Sequence, residues 1–87
     1  MPGSDNPTLK QELKQLIIDA CNKDVTPDEV PDDAPILGEA STLGLDSLDV
    51  LQINVALQQR YGVRVEDGKH ARRIMKSINA LADFVSP

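Results

Sequence analysis

The sequence predicts an all-α fold: a small up-down bundle of three main helices and one short helix, with a long ordered loop between the first two helices. Apolar residues recur at helical spacing on one face of about residues 8–22, 47–60 and 78–85. Aromatic residues make up only 2% of the 87 residues, so Leu, Ile, Val and Ala must form the core. This length suits one domain, expected over residues 7–87 after a flexible N-terminus at residues 1–6.

The first helix is expected to begin near Pro7, because proline suits the first helical position. Thr8, followed by Gln11, has the spacing of a capping box. The apolar face behind this start consists of Leu9, Leu13, Leu16, Ile17 and Ala20. A single apolar stripe of this kind predicts an amphipathic helix packed on a core. Cys21, near the end of this helix, is expected to act as a buried small hydrophobe.

Residues 23–46 contain prolines at Pro27, Pro31 and Pro35, which interrupt any regular pattern and predict a long loop. A short helical turn is expected near residues 26–30. The acidic residues of the loop are most simply a solvated surface. Six aliphatic residues are spaced as anchors to the core: Val25, Val30, Ile36, Leu37, Leu43 and Leu45.

The second helix is expected over residues 47–60, with Asp46 as its N-cap and Asp49 in its first turn, where the helix dipole favours acids. Gly62 is expected to end it in a left-handed conformation. The predicted apolar face consists of Leu48, Leu51 and Val55, with Val50, Ile53 and Leu57 on the adjoining edge.

Residues 63–65 alternate as an extended segment, but nothing else in the chain is suited to pair with them, so a connector is predicted. Asp67 is expected to cap a short helix at about 68–75, and Ser77 a last helix at 78–85. The residues expected to face inward are Ala71, Ile74 and Met75 in the short helix, and Ile78, Leu81, Ala82 and Val85 in the last.

The net charge of −5 disfavours nucleic acid and anionic membranes as partners and favours basic proteins. The single cysteine excludes an intramolecular disulfide and suits a reducing cytoplasm. No apolar run approaches the ~20 residues needed to span a bilayer, and residues 1–6 lack a secretory signal. We therefore expect a cytoplasmic monomer that neither binds nucleic acid nor inserts into a membrane.

Ser47 is expected to begin the second helix, where the backbone N–H groups and the helix dipole favour an anionic group. If Leu48 packs toward the core, the serine hydroxyl points outward. A nucleophilic role needs a base nearby, and the one histidine, His70, lies in a short basic segment. Together with the lack of a Gly-x-Ser-x-Gly turn, this indicates that the chain is not an enzyme. An isolated serine here would most simply be a helix cap.

The surrounding pattern is more specific. Leu-Gly-Leu-Asp-Ser-Leu-Asp at 43–49, Val-Ala-Leu-Gln-Gln-Arg-Tyr-Gly-Val at 55–63 and the closing segment at 77–85 resemble the acyl carrier proteins, over roughly residues 8–86. The resemblance implies that Ser47 carries a 4′-phosphopantetheine arm, taken from coenzyme A by a phosphopantetheinyl transferase, whose thiol holds acyl groups as thioesters.

The resemblance further implies that Asp46, Leu48 and Asp49 take part in partner recognition. Partners would be acyl-transferring, condensing and modifying enzymes of fatty-acid, lipid or polyketide-type biosynthesis. Five apolar positions match those that line an acyl-chain cavity in the family, although they also suit an ordinary core: Ile53, Leu57, Val63, Val65 and Leu81.

Several positions depart from the family pattern. Gln52 stands where glutamate is typical, Asn54 stands where an aliphatic residue is usual, and the third helix is unusually basic, with Lys69, His70, Arg72, Arg73 and Lys76. The loop at 34–42 also differs. A solvated face is the simplest interpretation of the basic run. These departures predict a specialised carrier instead of a housekeeping one. The alternatives are a carrier of amino-acyl groups, D-alanyl more than peptidyl, and an unmodified helical interaction domain.

Overall fold

A computed structural model describes residues 3–33, 35–36 and 44–86, without the side chains of Ser4 and Ser47. Its α-helices are α1 (Pro7–Ala20), α2 (Ser47–Tyr61), α3 (Gly68–Ile74) and α4 (Ile78–Val85). Two 3₁₀ turns, Gly3–Asp5 and Pro27–Glu29, lie before and after α1. The described part of the chain contains no strand. The predicted all-α class is therefore confirmed.

Polar caps fix the starts of the helices. Asp67 accepts a hydrogen bond from the backbone N–H of His70, and Ser77 accepts one from Ala80, as predicted for α3 and α4. The capping box predicted at Thr8 is wrong. Asn6 caps α1 instead, accepting from the N–H of Leu9 at 3.1 Å, because Pro7 already occupies the first helical position.

The core is aliphatic and draws on every helix. Its largest fully buried side chains are Leu13, Ile17, Ile36, Ile53, Leu57, Met75, Ile78 and Leu81. The residues predicted to face inward in α3 and α4 are buried, except Val85, which is half-buried. No polar or charged residue among the described ones is buried. Such a core is stabilised by apolar area removed from water, with few directional contacts.

The predicted main face of α2 is wrong. Leu48, Leu51 and Val55 are 68%, 61% and 54% exposed, whereas Ile53 and Leu57 are fully buried. Residues two apart lie about 200° around a helix of 3.6 residues per turn, so the two apolar stripes lie on nearly opposite sides. Only one of them can pack on α1, and the pair on the predicted edge does so.

The loop after α1 is anchored to the core near both of its ends. Val30, Ile36 and Leu45 are buried and Val25 packs on the core, as predicted. The other two predicted anchors, Leu37 and Leu43, lie outside the described residues, as do residue 34 and residues 37–42 of the divergent loop segment. The helical turn predicted near residues 26–30 is present as Pro27–Glu29.

One loop acid, Asp32, forms ion pairs with α1 and so does not belong to the solvated surface predicted for the loop. Its carboxylate pairs with Lys14 at 2.6 Å and Lys10 at 3.1 Å. Its carbonyl accepts a hydrogen bond of 3.0 Å from the N–H of Asn79 in α4. The Lys14 ammonium, then that of Lys10, holds the pKa of this carboxyl below its usual value. Asp32 therefore joins the loop to α1 and α4.

We expect Asp32→Asn to lower the free energy of unfolding at pH 7 by about 0.5–1 kcal/mol, since the carboxylate is 40% exposed and the pairing is partly screened. A lowered folded-state pKa adds stability above the unfolded value of about 3.9. This contribution disappears as the pH falls through the folded-state value. Urea titrations at several pH values should show the difference shrinking below about pH 4. Asp33→Asn, at an exposed neighbour, is the control; equal losses in both variants would contradict the pairing.

Part of the N-terminal segment that is predicted to be flexible contacts α4. Gly3–Asp5 forms a 3₁₀ turn against α4, and the N–H of the buried Gly3 donates to the carbonyl of Ser86 at 2.6 Å. A Cβ atom built on Gly3 would overlap the carbonyl oxygen of Ala82. Glycine is therefore what allows this close approach of two backbones.

Candidate functional site

The first turn of α2 is held by a reciprocal pair of hydrogen bonds. Asp46 accepts from the N–H of Asp49 at 3.1 Å, and the Asp46 N–H donates to the Asp49 carboxylate at 3.1 Å. The predicted N-cap is thus confirmed and forms a full capping box. Ser47 is the first residue of the helix, so its backbone lies between two fixed carboxylates and at the positive end of the helix dipole.

An apolar stripe follows Ser47 along the solvent side of α2. It consists of Leu48, Leu51 and Val55 and will be called the α2 stripe. These are the large hydrophobic side chains exposed in the described part of the chain. The expectation that Leu48 packs inward is wrong, because Leu48 is the most exposed of the three. Contiguous exposed apolar residues of this kind mark interaction surfaces.

Cys21 supports the same turn from α1. Its half-buried thiol donates to the carbonyl oxygen of Asp49, with a sulfur-to-oxygen distance of 3.8 Å. Burial, and then the nearby Asp49 carboxylate, raise the pKa of the thiol to about 11. At neutral pH it remains protonated and is a poor nucleophile. The predicted packing role therefore fits, although the side chain is half-buried and not fully buried.

A cleft of about 450 Å³ opens between α2 and α3 beside this turn. It will be called the α2–α3 cleft. Its lining is Leu45, Asp46, Val50 and Leu51 on one side and Gly68, Ala71 and Arg72 on the other. This volume lies within the range of small-molecule sites, and the lining is mainly apolar. The cleft was not predictable from the sequence, because its walls come from segments far apart in the chain.

The five residues predicted to line an acyl cavity do not line the α2–α3 cleft. Four of them are buried in the core and Val63 is half-buried against it. Their cavity role stays a prediction, and their core role is the one visible in the packing.

Asn54 shows why a polar residue suits its position. Its side-chain oxygen accepts a hydrogen bond of 3.4 Å from the backbone N–H of Val65. Val65 belongs to the connector between α2 and α3, which is neither helix nor strand. The amide therefore fixes the connector to α2, as an aliphatic side chain would not.

The basic face of α3 is exposed, with His70 as an exception. Lys69, Arg72 and Arg73 of α3 are exposed, and so is Lys76, two residues after the helix ends. His70 is half-buried, its Nδ1 accepts from the N–H of Glu66 at 3.2 Å, and its ring meets Phe84 edge-on at 5.1 Å. His70 thus connects the start of α3 to α4.

The described residues include no group of three His, Cys, Asp or Glu side chains suited to a metal. None of the helices they form is long and apolar enough to cross a bilayer.

Known proteins resemble this chain over most of its length. The family profile described as "Phosphopantetheine attachment site" matches residues 11–85. Polyketide-8 synthase acyl carrier protein 2 of Streptomyces avermitilis is 37% identical over 79% of this chain and 75% of its own length. An acyl carrier protein of Nitratidesulfovibrio vulgaris is 30% identical over 91% of this chain and 95% of its own length. The chain therefore belongs to the acyl carrier proteins, the family with a phosphopantetheine attachment site.

Proposed function

We propose that Ser47 is the residue to which the phosphopantetheine arm of this acyl carrier protein is joined. The observation that carries the proposal is the position of Ser47 at the start of α2, in a turn fixed by the Asp46–Asp49 capping box. A phosphodiester formed there meets the positive end of a 15-residue helix. The adjoining α2 stripe and α2–α3 cleft offer apolar surface beside the attachment point.

The carrier function follows from the chemistry of the arm. Phosphopantetheine ends in a thiol, which holds an acyl group as a thioester and delivers it to successive enzymes. The chain contributes the attachment point and the surface that each enzyme recognises, and in our proposal it performs no catalytic step. Phosphopantetheinyl transferase would transfer the arm from coenzyme A. Acyl-transferring, condensing and modifying enzymes would then act on the acyl group that the arm holds. In this proposal the carrier is a monomer and works in the cytoplasm.

The proposed recognition surface combines charge and apolar contact. Asp46 and Asp49 lie at the start of α2, and Leu48 is exposed one residue after Ser47. A partner with basic and apolar side chains around its active-site entrance would complement this surface. Beyond Asp49, α2 has no acid and one base, Arg60, so the rest of its exposed face is nearly neutral. The exposed residues there include Gln52, Gln58 and Gln59.

This neutral face, together with the basic face of α3, supports a specialised carrier. A housekeeping partner that relies on acids along α2 would find none of them beyond the first turn. The similarity to a polyketide synthase carrier supports the same proposal.

Purified housekeeping fatty-acid synthase enzymes should elongate chains on this protein more slowly than on their own carrier. Equal rates of elongation on the two carriers would refute the specialisation.

Intact mass spectrometry tests the attachment. The protein, incubated with coenzyme A and a broad-specificity phosphopantetheinyl transferase, should gain the mass of one phosphopantetheine. Ser47→Ala should gain nothing, because no hydroxyl remains to form the phosphodiester. Ser86→Ala, near the chain end, should gain the arm as the parent does, and circular dichroism should show all three proteins equally helical. No gain by the parent, or a gain by Ser47→Ala, would refute the proposal.

A further inference from the structure

The first turn of α2 presents an electrostatic problem for the proposed arm. Asp46 and Asp49 are carboxylates one residue before and two residues after Ser47. Each also accepts the backbone N–H of the other, so these two donors are not free to bind a phosphate oxygen. A phosphodiester on Ser47 would add a third negative charge to this turn. The helix dipole offsets part of the repulsion, equivalent to roughly half a positive charge.

Arg72 is a cation near this turn. It belongs to α3 and lines one wall of the α2–α3 cleft. Asp46 lines the opposite wall. Its side chain is exposed, and the ion pairs found among the described residues involve Lys10, Lys14 and Arg60 instead. Arg72 and Asp46 line one cleft yet make no ion pair within 4.0 Å. Among the described residues, therefore, no carboxylate pairs with this guanidinium, which leaves it to pair with an anion beside the cleft.

We propose that Arg72 is the counter-ion of the phosphodiester on Ser47 and holds the phosphate end of the arm at the mouth of the α2–α3 cleft. The inference rests on the proposed function. A guanidinium suits the role because its planar fork can donate two hydrogen bonds to two oxygens of one phosphate group. The neighbouring Arg73 carries the same charge but lies about 100° further round the helix and does not line the cleft.

The pairing of Arg72 with the phosphodiester can exist only after the arm is attached. Substitution of Arg72 should therefore affect the arm-bearing form more than the unmodified form. We would measure the melting temperature of the unmodified and the arm-bearing form of the parent, Arg72→Ala, Arg72→Lys and Arg73→Ala. For each protein, the quantity compared is the change in melting temperature when the arm is attached. This change should be about 2–4 °C less favourable in Arg72→Ala than in the parent, as expected for the loss of an exposed charge pair in a domain of this size. Arg73→Ala should match the parent, and Arg72→Lys should lie between the parent and Arg72→Ala.

Two further readouts separate a phosphate contact from a general effect of charge. The Nε–Hε resonance of Arg72 should shift on attachment of the arm, while that of Arg73 stays in place. The difference between Arg72→Ala and the parent should nearly vanish in 1 M salt, where charges are screened beyond ~3 Å.

The possible outcomes are distinct. Equal shifts for Arg72→Ala and Arg73→Ala, or an Arg72→Ala effect of the same size in both forms of the protein, would overturn the counter-ion role while leaving the attachment at Ser47 intact. A parent that gains no arm in the mass measurement would overturn the attachment and this inference with it. An effect confined to the arm-bearing form and to Arg72 would establish the pairing.

Discussion

Leu57→Ala is expected to lower the free energy of unfolding by about 2–5 kcal/mol, the range for removing a large aliphatic side chain from a core. Leu57 is fully buried and belongs to the stripe of α2 that packs on the core. Its loss removes apolar area from the interior and leaves a cavity that the surrounding helices fill only in part. Urea unfolding followed by circular dichroism measures the change.

Leu51→Ala is the matched control, with the same substitution in the same helix at a residue that is 61% exposed. The change in helix propensity is identical in the two variants, so the difference between them reports burial alone. Leu51→Ala should change the free energy of unfolding by less than about 0.5 kcal/mol. If it destabilised the protein as much as Leu57→Ala, the assignment of a buried and an exposed face to α2 would be contradicted.

Gly3→Ala is expected to destabilise the protein by about 1–3 kcal/mol, as overpacking does in a close contact. The added methyl group would overlap the backbone carbonyl of Ala82, which has no flexible side chain to move aside. The 3₁₀ turn would have to leave α4, with loss of the hydrogen bond from Gly3 to Ser86. Thermal unfolding of parent and variant measures the effect.

Gly68→Ala provides the opposite case. A Cβ atom at Gly68 meets nothing within 4 Å, and this residue begins α3 with no need for a left-handed conformation. Alanine there should leave stability unchanged or raise it by up to about 1 kcal/mol, because it restricts the unfolded chain. If Gly3→Ala proved as harmless as Gly68→Ala, the close packing of the N-terminal turn on α4 would be refuted.

Features set by local chemistry were predictable from the sequence. The caps at Asp46, Asp67 and Ser77 were predicted correctly, because a short polar side chain before an apolar run acts within one turn of helix. The left-handed Gly62 at the end of α2, with φ of 69°, is another example. At the start of α1 two local signals competed, and the fixed backbone of Pro7 decided for Asn6 over Thr8.

Features set by tertiary packing were not predictable. Periodicity showed two apolar stripes on α2, but which of them is buried depends on where α1 lies. The contact of Gly3 with α4 and the pairing of Asp32 with α1 join residues far apart in the chain. The α2–α3 cleft, and with it the place of Arg72, has the same origin. The position of Ser47 at a helix start was accessible to sequence because it depends only on its immediate neighbours.

The contact between the Cys21 thiol and the first turn of α2 has a practical consequence for following the arm. With its pKa raised to about 11, the Cys21 thiol is almost entirely protonated at pH 7. A thiol that is neither buried nor near a carboxylate ionises near pH 8.5, and we expect the thiol at the end of a phosphopantetheine arm to behave in this way. A thiol-specific reagent applied to the folded protein at neutral pH therefore counts free arms with almost no background from the polypeptide. Acylation of the arm can be followed as the loss of that signal without replacing any residue.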